Sequence, residues 1–276
     1  MFNLNDFKRL VRSRSLNYTL NGEAGRYSDQ LQKYVWKGHP VYYRAGKADV
    51  GALYEILIRP SRAMRKSGIK SIIGKKLEYW IPPVVDPKVI LDIGGNIGTT
   101  SVYYGHMFPN AKIYTFEPVP ENYEILQKNI AGFPNITGFN VGLGHEDTIA
   151  KIYTYSDNDN TGGYSLYNNL EVDKDKYQEI TVKKTDTFLK EIGVEHVDLI
   201  KIDTEGAEYD ILTSMSQDML SKARWILGEL HGERDFELLA YLNQWFKIDM
   251  EKSLRSRLFN FNAVNNDFAS QVKWKR

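Results

Sequence analysis

The sequence contains no cysteine, so it can form no disulfide framework, thiolate nucleophile or cysteine-built zinc site. An oxidising compartment is not thereby excluded. An excess of either charge is also missing, with 36 Lys plus Arg against 35 Asp plus Glu and a formal net charge of +1. No global positive field exists to gather nucleic acid or an anionic membrane, so any such binding has to be local. Nowhere do about 18 uninterrupted apolar residues occur. Met1-Phe-Asn-Leu-Asn-Asp6 has no charged region leading into an apolar one. The expectation is a soluble, cytoplasmic protein without a membrane span. Proline and glycine are few, 9 and 21 in 276 residues, and 42% of residues are hydrophobic. That composition excludes collagen-like and wholly disordered chains and leaves enough apolar residues for a sizeable core. No internal repeat or long low-complexity tract is present.

Periodicity divides the chain near residue 86. Residues 1–85 read as an accessory segment that mixes Tyr and Arg without a clear strand rhythm, and the prolines of Ile81-Pro-Pro-Val-Val-Asp-Pro87 end it by forcing extended backbone. Residues 86–276 read as one domain in which strands and helices alternate. Val89-Ile-Leu-Asp-Ile93 predicts a buried strand, Gly94-Gly-Asn-Ile-Gly98 a tight turn, and the residues through Val102, Tyr103 and Phe108 a helix. Ala111–Phe116 predicts a second strand, Pro120 a helix carrying Tyr123, Leu126 and Ile130 on one face, and Gly138–Val141 a third strand. Val197–Ile202 and Trp225–Glu229 are further buried strands. Helical patterns follow them, with Leu212, Met215 and Met219 after one and Leu239, Leu242 and Phe246 after the other. The polar stretch from Ser156 to Gln178 reads as a mobile loop. Phe246, Ile248 and Met250, then Phe259, Phe261 and Ala263, alternate with polar residues and predict a closing antiparallel hairpin. The expected fold is α/β: a Rossmann-like, doubly wound, mostly parallel sheet ending in that hairpin, preceded by the accessory segment.

Ligands of such sheets bind at the carboxyl ends of the strands, beside the switch in strand order. Gly94 and Gly98 let the turn bend sharply and approach a ligand, and Asp92 offers an acceptor just before it. Glu117 ends the next strand about 20 residues on, where a carboxylate can accept both hydroxyls of a ribose. A Gly-x-Gly-x-x-Gly frame begun at Gly94 meets Asn96 and Thr99 where glycines are needed, which disfavours a nicotinamide enzyme.

The set Asp92-x-Gly94-x-Asn96-x-Gly98, Phe116-Glu-Pro118 and Ile200-Lys-Ile-Asp-Thr-Glu-Gly-Ala-Glu208 resembles the FkbM family of S-adenosylmethionine-dependent methyltransferases across about 88–232. The resemblance implies O-methylation of a hydroxyl on a sugar, glycan or natural product, with S-adenosylmethionine held by Asp92, Gly94, Gly95, Asn96, Gly98, Glu117, Pro118, Val141 and Gly142. Two residues depart from the pattern: Thr204 stands where an aliphatic residue is expected, and Tyr164 where small residues are frequent. Both bear on the acceptor rather than on the cofactor.

An activated methyl leaves the protein to position the acceptor and remove its proton. Asp203 is the first candidate, with Glu205 and His231 behind it and Glu229 nearby. Each has a plainer reading. Asp203 and Glu205 can cap the following helix, Glu117 can be only a capping carboxylate, Gly98 only a helix-start glycine, and His231 a solvent-exposed loop residue. Two carboxylates can also hold a divalent metal, but the pairing is unspecific and no metal is assigned. Arg59, Arg62, Arg65, Lys66, Lys70, Lys75 and Lys76 make 57–77 basic without an acidic residue, either to draw in an anionic acceptor or as a solvated or paired face. Rival functions are a nucleic-acid methyltransferase, disfavoured because no Asn/Asp-Pro-Pro-Tyr follows the fourth strand, and a non-catalytic module that only binds cofactor. Acceptor identity and oligomeric state are not legible.

Overall fold

The computed structural model describes residues 4–21, 31–45, 48–59, 79–155, 164–165, 172–252 and 259–271. The chain begins with helices α1 (Leu4–Ser13) and α2 (Leu16–Asn21) and an antiparallel hairpin of β1 (Leu31–Trp36) and β2 (His39–Arg44). Helix α3 (Ala48–Ala52) follows and runs into a π-helical stretch, Leu53–Ile58. The alternating part then opens with β3 (Val89–Ile93), α4 (Thr99–Met107), β4 (Lys112–Phe116), α5 (Pro120–Ile130) and β5 (Ile136–Phe139). Four strands follow, β6 (Gly142–Gly144), β7 (Thr148–Tyr155), β8 (Tyr164–Ser165) and β9 (Val172–Lys184). Next come α6 (Thr185–Glu191), β10 (Leu199–Ile202), α7 (Glu208–Ser214), α8 (Gln217–Lys222) and β11 (Trp225–Leu230). Helix α9 (Asp235–Leu242), β12 (Phe246–Lys252), β13 (Phe259–Asn265) and α10 (Asn266–Ala269) complete the chain.

The main sheet has seven strands in the order β12-β13-β11-β10-β3-β4-β5. Its members from β11 to β5 run parallel, and β13 pairs antiparallel with both β11 and β12. Every residue of β3 and β10 is buried, as near-continuous apolar runs at the centre of a doubly covered sheet must be. The strand order reverses between β3 and β10, which opens a crevice at their carboxyl ends where Gly94 and Asp203 lie.

One apolar cluster lies on the α4 and α5 side of this sheet. It joins Ile90, Val102, Tyr104 and Leu126 to Tyr18, Tyr34, Trp36 and Tyr43 of the amino-terminal segment. Polar bonds fix that contact: Asn129 accepts from the Tyr42 amide at 2.6 Å and donates to the carbonyls of Tyr42 at 3.0 Å and Ile97 at 2.7 Å. The opposite face packs Leu91, Ile200, Ile211, Leu212, Ile226, Leu238 and Phe246.

Several elements differ from the expectation. Residues 31–44 form a hairpin in which Tyr34, Trp36, Val41 and Tyr43 are buried, an alternation the surrounding Tyr and Arg residues hid. The third strand begins at Ile136, before the expected 138. The helix after β10 is split at Ser216, whose hydroxyl caps α8 by accepting from the Met219 amide, and Phe246, which fits both the helical and the hairpin pattern, belongs to the strand. The stretch read as a mobile loop carries β8 and the start of β9, which pairs along β7 from Thr148↔Val182 to Tyr155↔Val172. The remaining residues of that stretch, 156–163 and 166–171, lie outside the described residues, as do Arg62, Arg65, Lys66, Lys70, Lys75 and Lys76 of the basic segment. Arg59 is described, and it pairs with Glu55 one helical turn away.

Candidate functional site

The turn after β3 is built by backbone donors. The amides of Gly94 and Gly95 donate to the Phe116 carbonyl at 3.0 and 2.9 Å, and the Asn96 amide donates to Glu117 Oε2 at 2.8 Å. Gly94 sits at φ 76°, and a Cβ there would lie 1.8 Å from the Asp203 carbonyl, so only glycine lets the ends of β3 and β10 approach this closely. Gly95 backs onto Thr115, and Gly98, at φ 82°, is the left-handed N-cap of α4. Asn96 and Glu205 also have positive φ, 49° and 56°, so the turns on both sides of the crevice hold non-glycine residues in a costly conformation.

A cleft of about 790 Å³, its open mouth included, lies over these turns. Gly94, Asn96, Glu117, Pro118, Val141 and Gly142 line it, as do Asp203 and Glu205. Asp92, Gly95 and Gly98 do not line it. Asp92 is wholly buried, with Oδ2 accepting from the Ser101 hydroxyl at 2.6 Å and Oδ1 3.4 Å from Lys201 Nζ. That β6, β7 and β9 wall the other side was not legible from residue order. Leu143, Ile152, Ile180 and Val182 line the cleft from there, and the last three pack around Val119.

Glu117 is 4% exposed. Its Oε1 accepts from the Val119 amide at 2.9 Å and Asn122 Nδ2 at 3.3 Å, so it does contribute at the start of α5 while its Oε2 holds the glycine turn. Burial outweighs these bonds and the nearby Lys201 and pushes its carboxyl up to about 7. Asn96, which lines the cleft, adds a buried Oδ1 without a hydrogen-bond partner.

At the other end, four acidic residues surround His231. Its Nε2 lies 3.5 Å from Glu229, 3.8 Å from Glu205 and 3.9 Å from Asp203, and its Nδ1 is 3.3 Å from Glu208 Oε1. Its side chain is only 7% exposed, which corrects the reading of a solvent-exposed loop histidine: the end of β11 delivers it inward onto α7. Burial opposes its charge, but Glu208, Glu229, Asp203 and Glu205 overcome this and push the imidazole up to about 11. Burial, partly offset by His231 and reinforced by the other acids, raises Glu205 to about 7. Asp203, Glu205 and His231 offer ligand atoms within 4.8 Å of one another, close enough to hold a divalent cation in place of the imidazole proton.

Neither Asp203 nor Glu205 caps α7, whose N-cap is Ala207. Glu208 folds back instead, its Oε1 accepting from the amides of Thr204 at 3.0 Å and Gly206 at 3.3 Å. The Thr204 hydroxyl donates to the same oxygen at 3.1 Å, a bond that an aliphatic residue at this position could not make.

Lys201 and Glu208 stand in the Ile200–Glu208 segment that carries the resemblance but were given no role, and Tyr79 was not singled out at all. Lys201 is buried within the sheet, and its Nζ donates to the Gly94 carbonyl at 2.7 Å. Burial pulls its ammonium down, but Asp92, Asp203 and Glu229 hold it above its ordinary value. Tyr79 donates its hydroxyl to Asp203 Oδ2 at 2.9 Å. The Ile-Lys-Ile-Asp run could have flagged the lysine, since a charge inside a buried strand needs partners; nothing local flags the tyrosine.

The family model described as "Methyltransferase FkbM domain" matches residues 92–261. Methyltransferase 1 of Beauveria bassiana is 30% identical over 160 residues, 51% of this chain and 63% of that protein. AMB antimetabolite synthetase AmbE of Pseudomonas aeruginosa is 28% identical over 181 residues, 53% of this chain and 8% of that protein. The match therefore spans less than two thirds of either relative. The 2-O-methyltransferase NoeI of Sinorhizobium fredii is 24% identical over 163 residues, 55% of this chain and 66% of that protein. Among solved structures, methyltransferase FkbM from Methylobacillus flagellatus aligns with a TM-score of 0.46 at 18% identity, over 64% of this chain and 44% of that one. With the family model covering well over half of its residues, the chain belongs to the FkbM methyltransferase family.

Proposed function

We propose that the protein transfers the methyl group of S-adenosylmethionine to a hydroxyl of a sugar, glycan or natural-product acceptor. The observation that carries this reading is a single cleft with a buried, strand-end carboxylate, Glu117, on one side and the solvent-accessible carboxylate of Asp203 on the other. Glu117 suits ribose hydroxyls, Val119, Ile152, Ile180 and Val182 suit the adenine, and Gly94 and Asn96 suit the amino-acid part. Bound there, the cofactor supplies a methyl already activated by its sulfonium. Asp203 then orients the acceptor hydroxyl and accepts its proton as the oxygen gains carbon. His231 does not compete for that proton, because among four carboxylates it is already charged at neutral pH. Its single positive charge offsets part of theirs and helps hold Asp203 and Glu205 near each other. NoeI, by its name a 2-O-methyltransferase, supports oxygen as the receiving atom.

The state of Glu117 gives the reading a test that needs no acceptor. A carboxylate accepts ribose hydroxyls best when ionised, and this one titrates at about 7. Calorimetric affinity for S-adenosylmethionine should therefore weaken as pH falls below 7, approaching a tenfold loss per unit, and level off above 8. Glu117→Gln should bind weakly with no such slope, which separates Glu117 from Glu205. A flat profile for the unaltered protein would contradict the assignment of Glu117 to the ribose.

A further inference from the structure

We propose that Tyr79 is a positioning residue of the methyl-transfer site, supplied by the amino-terminal segment, which fixes the Asp203 carboxylate toward the point of transfer. The inference rests on the functional reading above and extends it to a residue outside the span, 92–261, that the family model matches.

Tyr79 is held on several sides. Its backbone carbonyl accepts from the hydroxyl of Tyr104 at 2.9 Å, and Tyr104 is wholly buried in α4. Its ring, 8% exposed, lies with its centroid 5.2 Å from Lys201 Nζ, the ammonium that also grips the Gly94 carbonyl. Its φ is 55°, a left-handed conformation that a bulky residue adopts only when its surroundings impose it. These contacts aim the hydroxyl at Asp203 Oδ2, 2.9 Å away.

The consequence is geometric. Asp203 is 28% exposed and lines the cleft, so the plane of its carboxylate has to be set by the groups that touch it. The Tyr79 hydroxyl occupies Oδ2, while Oδ1 faces His231 Nε2 at 3.9 Å. Tyr79 thus fixes the plane of the carboxylate between a neutral donor and a cation, and sets the charge it presents to the cleft. A tyrosine hydroxyl serves this purpose because it can donate to the carboxylate without adding a charge of its own.

The test uses two cofactor analogues, so no acceptor is required. S-adenosylhomocysteine carries a neutral sulfur where sinefungin carries a protonated amine. The ratio of their affinities for one protein therefore reads the negative charge at the transfer point. Tyr79→Phe keeps the ring over Lys201 and removes only the hydroxyl. It should bind S-adenosylhomocysteine within twofold of wild type and lose at least fivefold of its preference for sinefungin. In an Asp203→Asn background the same substitution should change the preference by less than twofold, since the partner is already altered. A wild-type preference in a folded Tyr79→Phe protein, or an equal effect in both backgrounds, would overturn the proposal. Loss of affinity for both analogues alike in Tyr79→Phe would also overturn it, because that pattern marks a structural role. Failure of wild type to bind either analogue would instead overturn the functional reading, and this proposal with it.

Discussion

Asp203→Asn is expected to lower methyl-transfer turnover by about 10²–10⁴-fold, the range for a positioned general base, and to leave affinity for S-adenosylhomocysteine, whose sulfur is uncharged, within about threefold. The amide keeps the shape of the side chain and can still accept from the Tyr79 hydroxyl, so the pocket should survive while the proton acceptor is lost. Single-turnover rates and calorimetric affinities on the same preparation separate the effects. Native turnover in Asp203→Asn, with a large loss in Glu205→Gln, would move the role to Glu205, the other carboxylate in the cleft. Loss of S-adenosylhomocysteine binding in Asp203→Asn would show that the side chain holds the cofactor rather than the acceptor.

The second large effect is expected at Gly94. A methyl group there would lie 1.8 Å from the Asp203 carbonyl oxygen and 2.8 Å from its carbon, and both are backbone atoms that cannot rotate away. The residue would also have to hold φ 76°, which is strained for any side chain. Relief requires β3 and β10 to separate where Lys201 and the turn now join them, at a cost well above the about 1 kcal/mol of an ordinary Gly→Ala change. Gly94→Ala should therefore lose measurable cofactor binding and melt several degrees lower. Gly193→Ala is the control. It too has a positive φ, 75°, but nothing lies within 4 Å of its Cβ, so it should show only the backbone cost and keep cofactor affinity. Equal behaviour of the two variants would mean that the close approach at Gly94 is unimportant.

The parts legible in the sequence are those fixed by local chemistry. The Asp92–Gly98 turn could be read because a strand-to-helix turn beside a ligand restricts residue types, and Glu117 because it ends an apolar run at a set distance from that turn. The closing hairpin was legible because one face of each strand is apolar; Phe261 and Ala263 are buried opposite Met250 and Ile248. What was not legible depends on contacts distant in sequence. His231 has no local sign of burial, and its environment arises only when β11 and α7 meet. Tyr79 and Asp203 are 124 positions apart, and no periodicity connects them. The β7 and β9 wall escaped notice because its polar residues outnumber Ile152, Ile180 and Val182, the few that turn inward. Glu117 was read either as an acceptor for ribose or as a capping carboxylate, and its oxygens already hold Asn96, Val119 and Asn122. A ligand would share or replace some of those bonds.

The proposed chemistry is tested most directly by following a carbon-13 methyl group from labelled S-adenosylmethionine into a panel of glycosides and polyketide alcohols by nuclear magnetic resonance. The account predicts a new methoxy resonance on at least one acceptor, formed in step with S-adenosylhomocysteine and abolished by Asp203→Asn. A label that appears on nitrogen or carbon instead, or a methoxy signal that Asp203→Asn produces at the native rate, would contradict it.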